Sequence, residues 1–139
     1  STLQRQYVEQ RHIQFLGPLS EEQLGPLYQQ ATALVLPSLA PEVFPLSILE
    51  AFAHGTPAIV HNAGGSREAI DRTGGGVVYN SREELHDALT LLAKDFQLRK
   101  TLGQRARAGY EQFYSQKRYL ERYLQLIQEI GKKNGIILH

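Results

Sequence analysis

Two kinds of apolar pattern alternate along this chain. Short unbroken runs bounded by Gly, Pro or Asn predict strands, and segments whose apolar residues recur at helical spacing predict amphipathic helices. "HIQFLG", His12 to Gly17, is a β-prone run closed by Gly-Pro, which predicts a strand over 12–16. In "SEEQLGPLYQQA" the spacing of Leu24, Leu27, Tyr28 and Ala31 predicts a helix, opened by a capping box of Ser20 and Gln23 and locally distorted at Pro26. "ALVLPS", 33–38, reads as a strand buried on both faces. A helix follows from about Pro45 to His54, with Pro preset for its first position and Gly55 at its end. "PAIVHN" is another buried-type strand, "GGSREAID" turns into a short helix, and "GGGVVYN" gives a last short strand. Ser81 and Glu84 form a second capping box, for a helix running to about Lys94, and two more helices are expected at about 96–109 and 115–131. In the last of these Tyr119, Leu120, Tyr123, Leu124, Ile127 and Ile130 fall on one stripe, whose tyrosines read as packing groups. Strands alternating with helices predict an α/β fold, a Rossmann-like parallel sheet with flanking helices.

At 139 residues the chain is one domain at most, and a hydrophobic content of 42% with a net charge of +1 argues against disorder. No apolar run reaches the roughly 18–20 residues of a membrane-spanning helix. The absence of Cys excludes a disulfide framework and thiolate metal sites and is compatible with the cytosol. The absence of Met, with a polar start, suggests a fragment of a longer protein or a processed chain. Charge is uneven: the first 93 residues carry −5 and the rest +6. That basic half reads as a solvated helix face rather than a nucleic-acid or membrane surface, because acids are interspersed and no aromatic stacking pattern accompanies the bases. The tail "KKNGIILH" is expected to be frayed or an edge element.

Chemistry concentrates in "LPSLAPEVFPLSILEAFAHGTPAIV", Leu36 to Val60, where Glu42 and Glu50 stand with seven residues between them. Ligands of an open parallel sheet sit beyond the carboxyl ends of its strands, where helix N-termini offer unpaired N–H groups and a partial positive charge. Pro45 has no N–H, so the candidates for a phosphate are the amides of Leu46 and Ser47, with the Ser47 hydroxyl as a helper. Carboxylates suit sugar hydroxyls instead. Glu50, a turn into the helix, can accept from two ribose hydroxyls, with Glu42 reaching a group beyond the phosphate. On spacing alone the commoner reading of such a pair is a dipole partner at Glu42 and a solvated Glu50, although Glu50 lies between Leu49 and Ala51 in an apolar run.

"PSLAPEVFPLSILEAFAHGTPAIVHNAGGSREAI" resembles the donor-site signature of retaining glycosyltransferases of the GT-B fold, family 4 or glycosyltransferase group 1. The likeness lies in Pro-Ser after a strand, two Glu with seven residues between them and the second in "LEA", Gly-x-Pro, and a Gly-Gly turn before Glu; it extends less specifically over most of the chain. The resemblance implies the incomplete C-terminal half of a GT-B enzyme, a truncated donor domain spanning 1–139 without the N-terminal acceptor domain and the first donor-domain strands. It implies that Glu42 contacts the donor sugar near the reacting carbon and that Glu50 holds the nucleotide's ribose. The resemblance further implies that Phe44, Leu46 and Ser47 contribute to nucleotide binding and that Gly64 and Gly65 line the sugar pocket. The implied partners are a UDP-, GDP- or ADP-linked sugar and, through the missing domain, a sugar or lipid-linked acceptor. No cofactor, metal or nucleic acid is implied, and no Asp-x-Asp motif is present. The location implied is cytoplasmic or peripheral at the cytoplasmic membrane face. In a family-like sheet of order 3-2-1-4-5-6 the strand at 12–16 would lack its neighbours, so it must pair differently, find another chain or belong to a longer protein whose remainder is missing; self-association through an unpaired sheet edge is one of these outcomes.

Arg67 and Glu68 after Gly-Gly are either ligand contacts or surface residues. His54 reads as a C-terminal helix cap rather than a catalytic group, His61 as structural, and Gly74-Gly75-Gly76 as a flexible turn. Two alternatives to the enzyme stand: a non-catalytic nucleotide- or sugar-binding module, and an assembly module of the same fold.

Overall fold

The computed structural model describes residues 7, 10, 12–40, 43 and 45–134. Helix α1 (Glu21–Gln30) precedes three parallel strands, β1 (Leu34–Leu36), β2 (Ala58–His61) and β3 (Gly76–Tyr79), which lie side by side in chain order. Helix α2 (Leu46–Ala53) links β1 to β2, and α3 (Gly64–Thr73) links β2 to β3. After β3 come α4 (Arg82–Lys94), α5 (Phe96–Gly109), a π-helical turn at Tyr110–Tyr114 and α6 (Gln116–Lys133).

Local chemistry sets these boundaries. Helix α2 ends in a Schellman arrangement: Gly55 at φ +73° sends its N–H to the Phe52 carbonyl, and the Thr56 N–H reaches back to Ala51. Pro45 is the N-cap, one residue earlier than its expected place inside the helix. Ser81 Oγ accepts from the Glu84 N–H at 3.1 Å, while the Glu84 carboxylate reaches past Ser81 to the Asn80 backbone and side chain. Asp95 and Ser115 cap α5 and α6 in the same way. In α1 the Gln23 side chain accepts from the Ser20 N–H at 2.9 Å, and the helix runs on through Pro26.

Period-two alternation along β2 divides the core. Ala58 and Val60 face Ile48 and Phe52 of α2, and Ala69 and Ile70 of α3. Ile59 faces the opposite layer, with Ala88 and Leu92 of α4 and Leu102 of α5. Helix α5 serves both layers, contributing Ala106 to the first and Leu102 to the second. It reaches both because it packs where β2 and β3 begin, with Gly103 against Gly55 and Ala106 against Gly75. The amino-terminal edge of the sheet is thereby closed, and the N-termini of α2 and α3 lie beyond the opposite, carboxyl edge, since each helix runs back against its parallel strands.

Four expectations change. No strand forms at 12–16; Ile13, Phe15 and Leu16 are exposed there, because a strand exists only through a neighbour's hydrogen-bond ladder and, among the described residues, none lies alongside. Strand β1 is not buried on both faces: Val35 is 36% exposed, as α4 covers β2 and β3 on that side but not β1. Gly74-Gly75-Gly76 is not a loose turn, since Gly74 at φ +66° closes α3, Gly75 is buried and Gly76 lies in β3. The apolar stripe of α6 is exposed rather than packed, Tyr119 to 70%, because α6 meets little besides the π-helical turn before it.

Candidate functional site

Helices α1 and α2 form two walls of a cleft of about 470 Å³, and the π-helical turn with the start of α6 forms the third. Leu46 and Glu50 both line it, one helical turn apart on the same face of α2, and His54 lines it one turn further on. Tyr28 of α1 faces them. Its hydroxyl donates to Glu50 Oε2 at 3.0 Å, and its ring stacks on His54 with centroids 5.7 Å apart. His54 Nδ1 lies 2.8 Å from the Glu50 carbonyl, which can only accept, so Nδ1 carries the proton and Nε2 is left facing Gly25. Thr56 Oγ1 donates to the Tyr28 carbonyl at 2.5 Å and ties α1 to the end of α2.

This arrangement raises the Tyr28 phenol to a pKa of about 12, by burial first, then by its hydrogen bond to Glu50 and by the carboxylate's charge. On the third wall the Arg72 guanidinium stands 4.8 Å from the Phe113 ring centroid and 5.7 Å from that of Tyr114, holding the π-helical turn against α3. Burial pushes the Tyr114 phenol up while Arg72 pulls it back. A π-turn widens the helix and redirects the chain, and here it brings Tyr110, Tyr114 and Tyr119 to the cleft.

Beyond the carboxyl edge of the sheet, α2 and α3 begin without side-chain caps. Their N-cap residues are Pro45 and Ala63, which have no side-chain acceptor, whereas α4, α5 and α6 are each capped by a side chain. The first amides of α2 and α3 therefore carry the positive end of the helix dipole with no side-chain cap on it among the described residues. Gly64, at φ +49°, opens α3, and Gly65 is buried.

Of the residues expected to form a site, Leu46 and Glu50 meet in the cleft, Ser47 stands half-buried in the first turn of α2, and Gly64 and Gly65 lie at the neighbouring helix start rather than in the cleft. Glu42 and Phe44 lie outside the described residues. Arg67 is engaged with Asp71 at 2.7 Å and with Asn62 at 3.0 Å, and Glu68 lies 4.0 Å from Arg72, so both belong to surface ion pairs. His54 is the C-cap of α2 and also part of the cleft wall. His61 packs edge-on against Tyr79 at 5.4 Å with a buried, unpartnered Nδ1. Reading the sequence alone misses Tyr28; its one signal there is a place on the apolar face of α1, 22 residues from its partner.

Residues 2–109 match the family described as glycosyl transferases group 1. The chain belongs to that family. It is 33% identical over 104 residues to an exopolysaccharide phosphotransferase of Streptomyces coelicolor, covering 73% of this chain and 11% of that one. An N,N'-diacetylbacillosaminyl-diphospho-undecaprenol alpha-1,3-N-acetylgalactosaminyltransferase of Campylobacter jejuni is 32% identical over 122 residues, covering 86% of this chain and 31% of the relative. A D-inositol 3-phosphate glycosyltransferase of Paenarthrobacter aurescens is 37% identical over 98 residues, 69% of this chain and 24% of that one. In structure the chain is similar to a sucrose-phosphate synthase of Thermosynechococcus elongatus, with a TM-score of 0.82, 25% identity and coverage of 95% of this chain and 33% of the other. HepE of Anabaena, solved with UDP-glucose, has the same fold at a TM-score of 0.78 and 22% identity, over 92% of this chain and 36% of HepE. The fold is thus a part of the GT-B fold, and the chain spans between about a tenth and a third of the length of these relatives.

Proposed function

We propose that this chain is the donor-binding part of a retaining glycosyltransferase, which transfers a sugar from a nucleoside diphosphate sugar to an acceptor hydroxyl. The observation that carries this reading is the pairing, on one face of α2, of an uncapped N-terminus at Leu46 with a carboxylate one turn along at Glu50. A diphosphate fits the first, since amides and the helix dipole meet its charge, and a ribose diol fits the second, since a carboxylate accepts from both hydroxyls. The rise of about 6 Å over four helical residues suits two adjacent parts of one nucleotide. The second uncapped start, at Gly64 and Gly65, leaves room for close approach of a ligand to backbone, which supports the reading of these glycines as the sugar's neighbours.

In this reading the amides of Leu46 and Ser47 stabilise negative charge on the departing nucleoside diphosphate as its bond to the anomeric carbon breaks, and an acceptor hydroxyl attacks the cation-like carbon and gives up its proton to the departing phosphate oxygen. Glu42, on family grounds, orients the donor sugar. The UDP-glucose with which HepE was solved and the lipid-linked substrate in the Campylobacter enzyme's name support this class of donor and acceptor. Titration of the whole protein with UDP, GDP, ADP and their sugar conjugates tests it. Glu50→Ala is expected to weaken nucleotide binding tenfold or more (of order 10–100-fold for the loss of charge-assisted hydrogen bonds), and unchanged affinity would sink the assignment. In the same protein Glu42→Ala is expected to lower turnover more than donor affinity.

A further inference from the structure

Glu50 is exposed and has three rotatable side-chain bonds, so by itself its carboxylate would sample many directions. It does not stand by itself. The Tyr28 hydroxyl donates to Oε2 at 3.0 Å, while among the described residues Oε1 accepts no hydrogen bond. Tyr28 in turn is fixed two ways: Thr56 Oγ1 holds its backbone carbonyl, and its ring lies against that of His54, which is itself held by Nδ1 on the Glu50 carbonyl. The contacts close a loop from α1 through His54 back to Glu50. We propose that Tyr28 is a positioning residue, whose hydroxyl holds one oxygen of Glu50 so that the other is presented to the vicinal hydroxyls of the ribose.

This inference rests on the reading of Glu50 given above. It adds that the diol site is assembled from two helices, and that α1 serves ligand binding without touching the ligand. The geometry separates the hydroxyl's contribution from the ring's: Tyr28→Phe keeps the stack on His54 and the backbone link to Thr56 and removes only the hydrogen bond to Glu50. An uncharged isostere at the other end, Glu50→Gln, removes the charge that makes that bond strong.

The test measures affinity for the nucleoside diphosphate the protein binds best and for its 2′,3′-dideoxy analogue, with thermal unfolding recorded for every variant of the whole protein. Tyr28→Phe is expected to weaken the ribonucleotide about five- to tenfold, the loss of one charge-assisted hydrogen bond's preorganisation, while leaving the dideoxy analogue unchanged. Added to Glu50→Gln, Tyr28→Phe is expected to cost little further. A merely structural tie between α1 and α2 would lower the melting temperature and weaken both ligands alike, and that result would overturn the inference. Ribonucleotide affinity untouched by Tyr28→Phe but lost with Glu50→Ala would overturn it while leaving the donor site standing. Affinity untouched by Glu50→Ala would overturn the donor site itself, and the inference with it.

Discussion

Tyr28 and Glu50 depend on one another through a proton. The phenol, ordinarily ionising near 10, is raised to about 12, and burial contributes more to this than the hydrogen bond or the charge of Glu50. Because the folded-state pKa lies above the unfolded one, the neutral phenol's contribution to stability is fully present below pH 10 and is lost as pH rises through about 12. Glu50→Gln removes the charge and weakens the hydrogen bond but leaves the burial. The Tyr28 pKa is therefore expected to fall only part of the way back toward 10 in that variant. Tyrosine ring-carbon chemical shifts followed through an alkaline titration measure this; a pKa unmoved by Glu50→Gln would mean that the two side chains are not hydrogen-bonded in solution. Neither member of the pair advertises the other along the chain. Glu50 stands out as a carboxylate inside an apolar run, whereas Tyr28 looks like any aromatic on a helix face, and only the packing of α1 on α2 brings them together.

Among the elements, those fixed by short-range chemistry are legible in the sequence and those fixed by a neighbour are not. Ser81, Asp95 and Ser115 each accept from an N–H three residues on, and Gly55 and Gly74 adopt positive φ at helix ends, so the boundaries of α2 to α6 follow from residues within a turn of each end. The run at 12–16 has the composition of a strand but no ladder to join, and Val35 has the composition of a core residue but no helix above it. The closure of the amino-terminal edge by α5 depends on glycine in the same non-local way. A Cβ on Gly103 would overlap the Gly55 carbonyl oxygen, which is backbone and cannot swing aside. Gly103→Ala is therefore expected to destabilise the fold by about 1–2 kcal/mol, the difference between overpacking strain toward the upper end of about 1–3 kcal/mol, since the clash is with backbone, and the roughly 1 kcal/mol that Ala gains over Gly in a helix. Denaturant unfolding reads this directly, and a variant as stable as the parent would show that α5 does not seat against the end of α2.

At the scale of the molecule, α6 stands out among the described residues for apolar side chains left in solvent. Tyr119, Leu120, Tyr123, Leu124 and Ile130 lie on one side of this 18-residue helix, each at least half exposed. The sequence predicts self-association through an open sheet edge. Strand β1 does have one unpaired edge among the described residues, but it is three residues long and offers few backbone groups to a partner. The helix offers far more apolar area, at about 25 cal/mol for each Å² withdrawn from water. On its own, then, this chain is expected to associate with itself, in a concentration-dependent way, through α6 rather than β1. Sedimentation velocity distinguishes the two routes. Leu120→Glu with Leu124→Glu should give a folded monomer with an unchanged far-ultraviolet circular dichroism spectrum and a melting temperature that no longer depends on concentration, because both side chains are exposed and contribute little to the core, while a charge placed at Val35 on β1 should leave the association intact. If the α6 pair fails to dissolve the oligomer and the β1 charge succeeds, the exposed stripe is not what brings the chains together, and the sheet edge is.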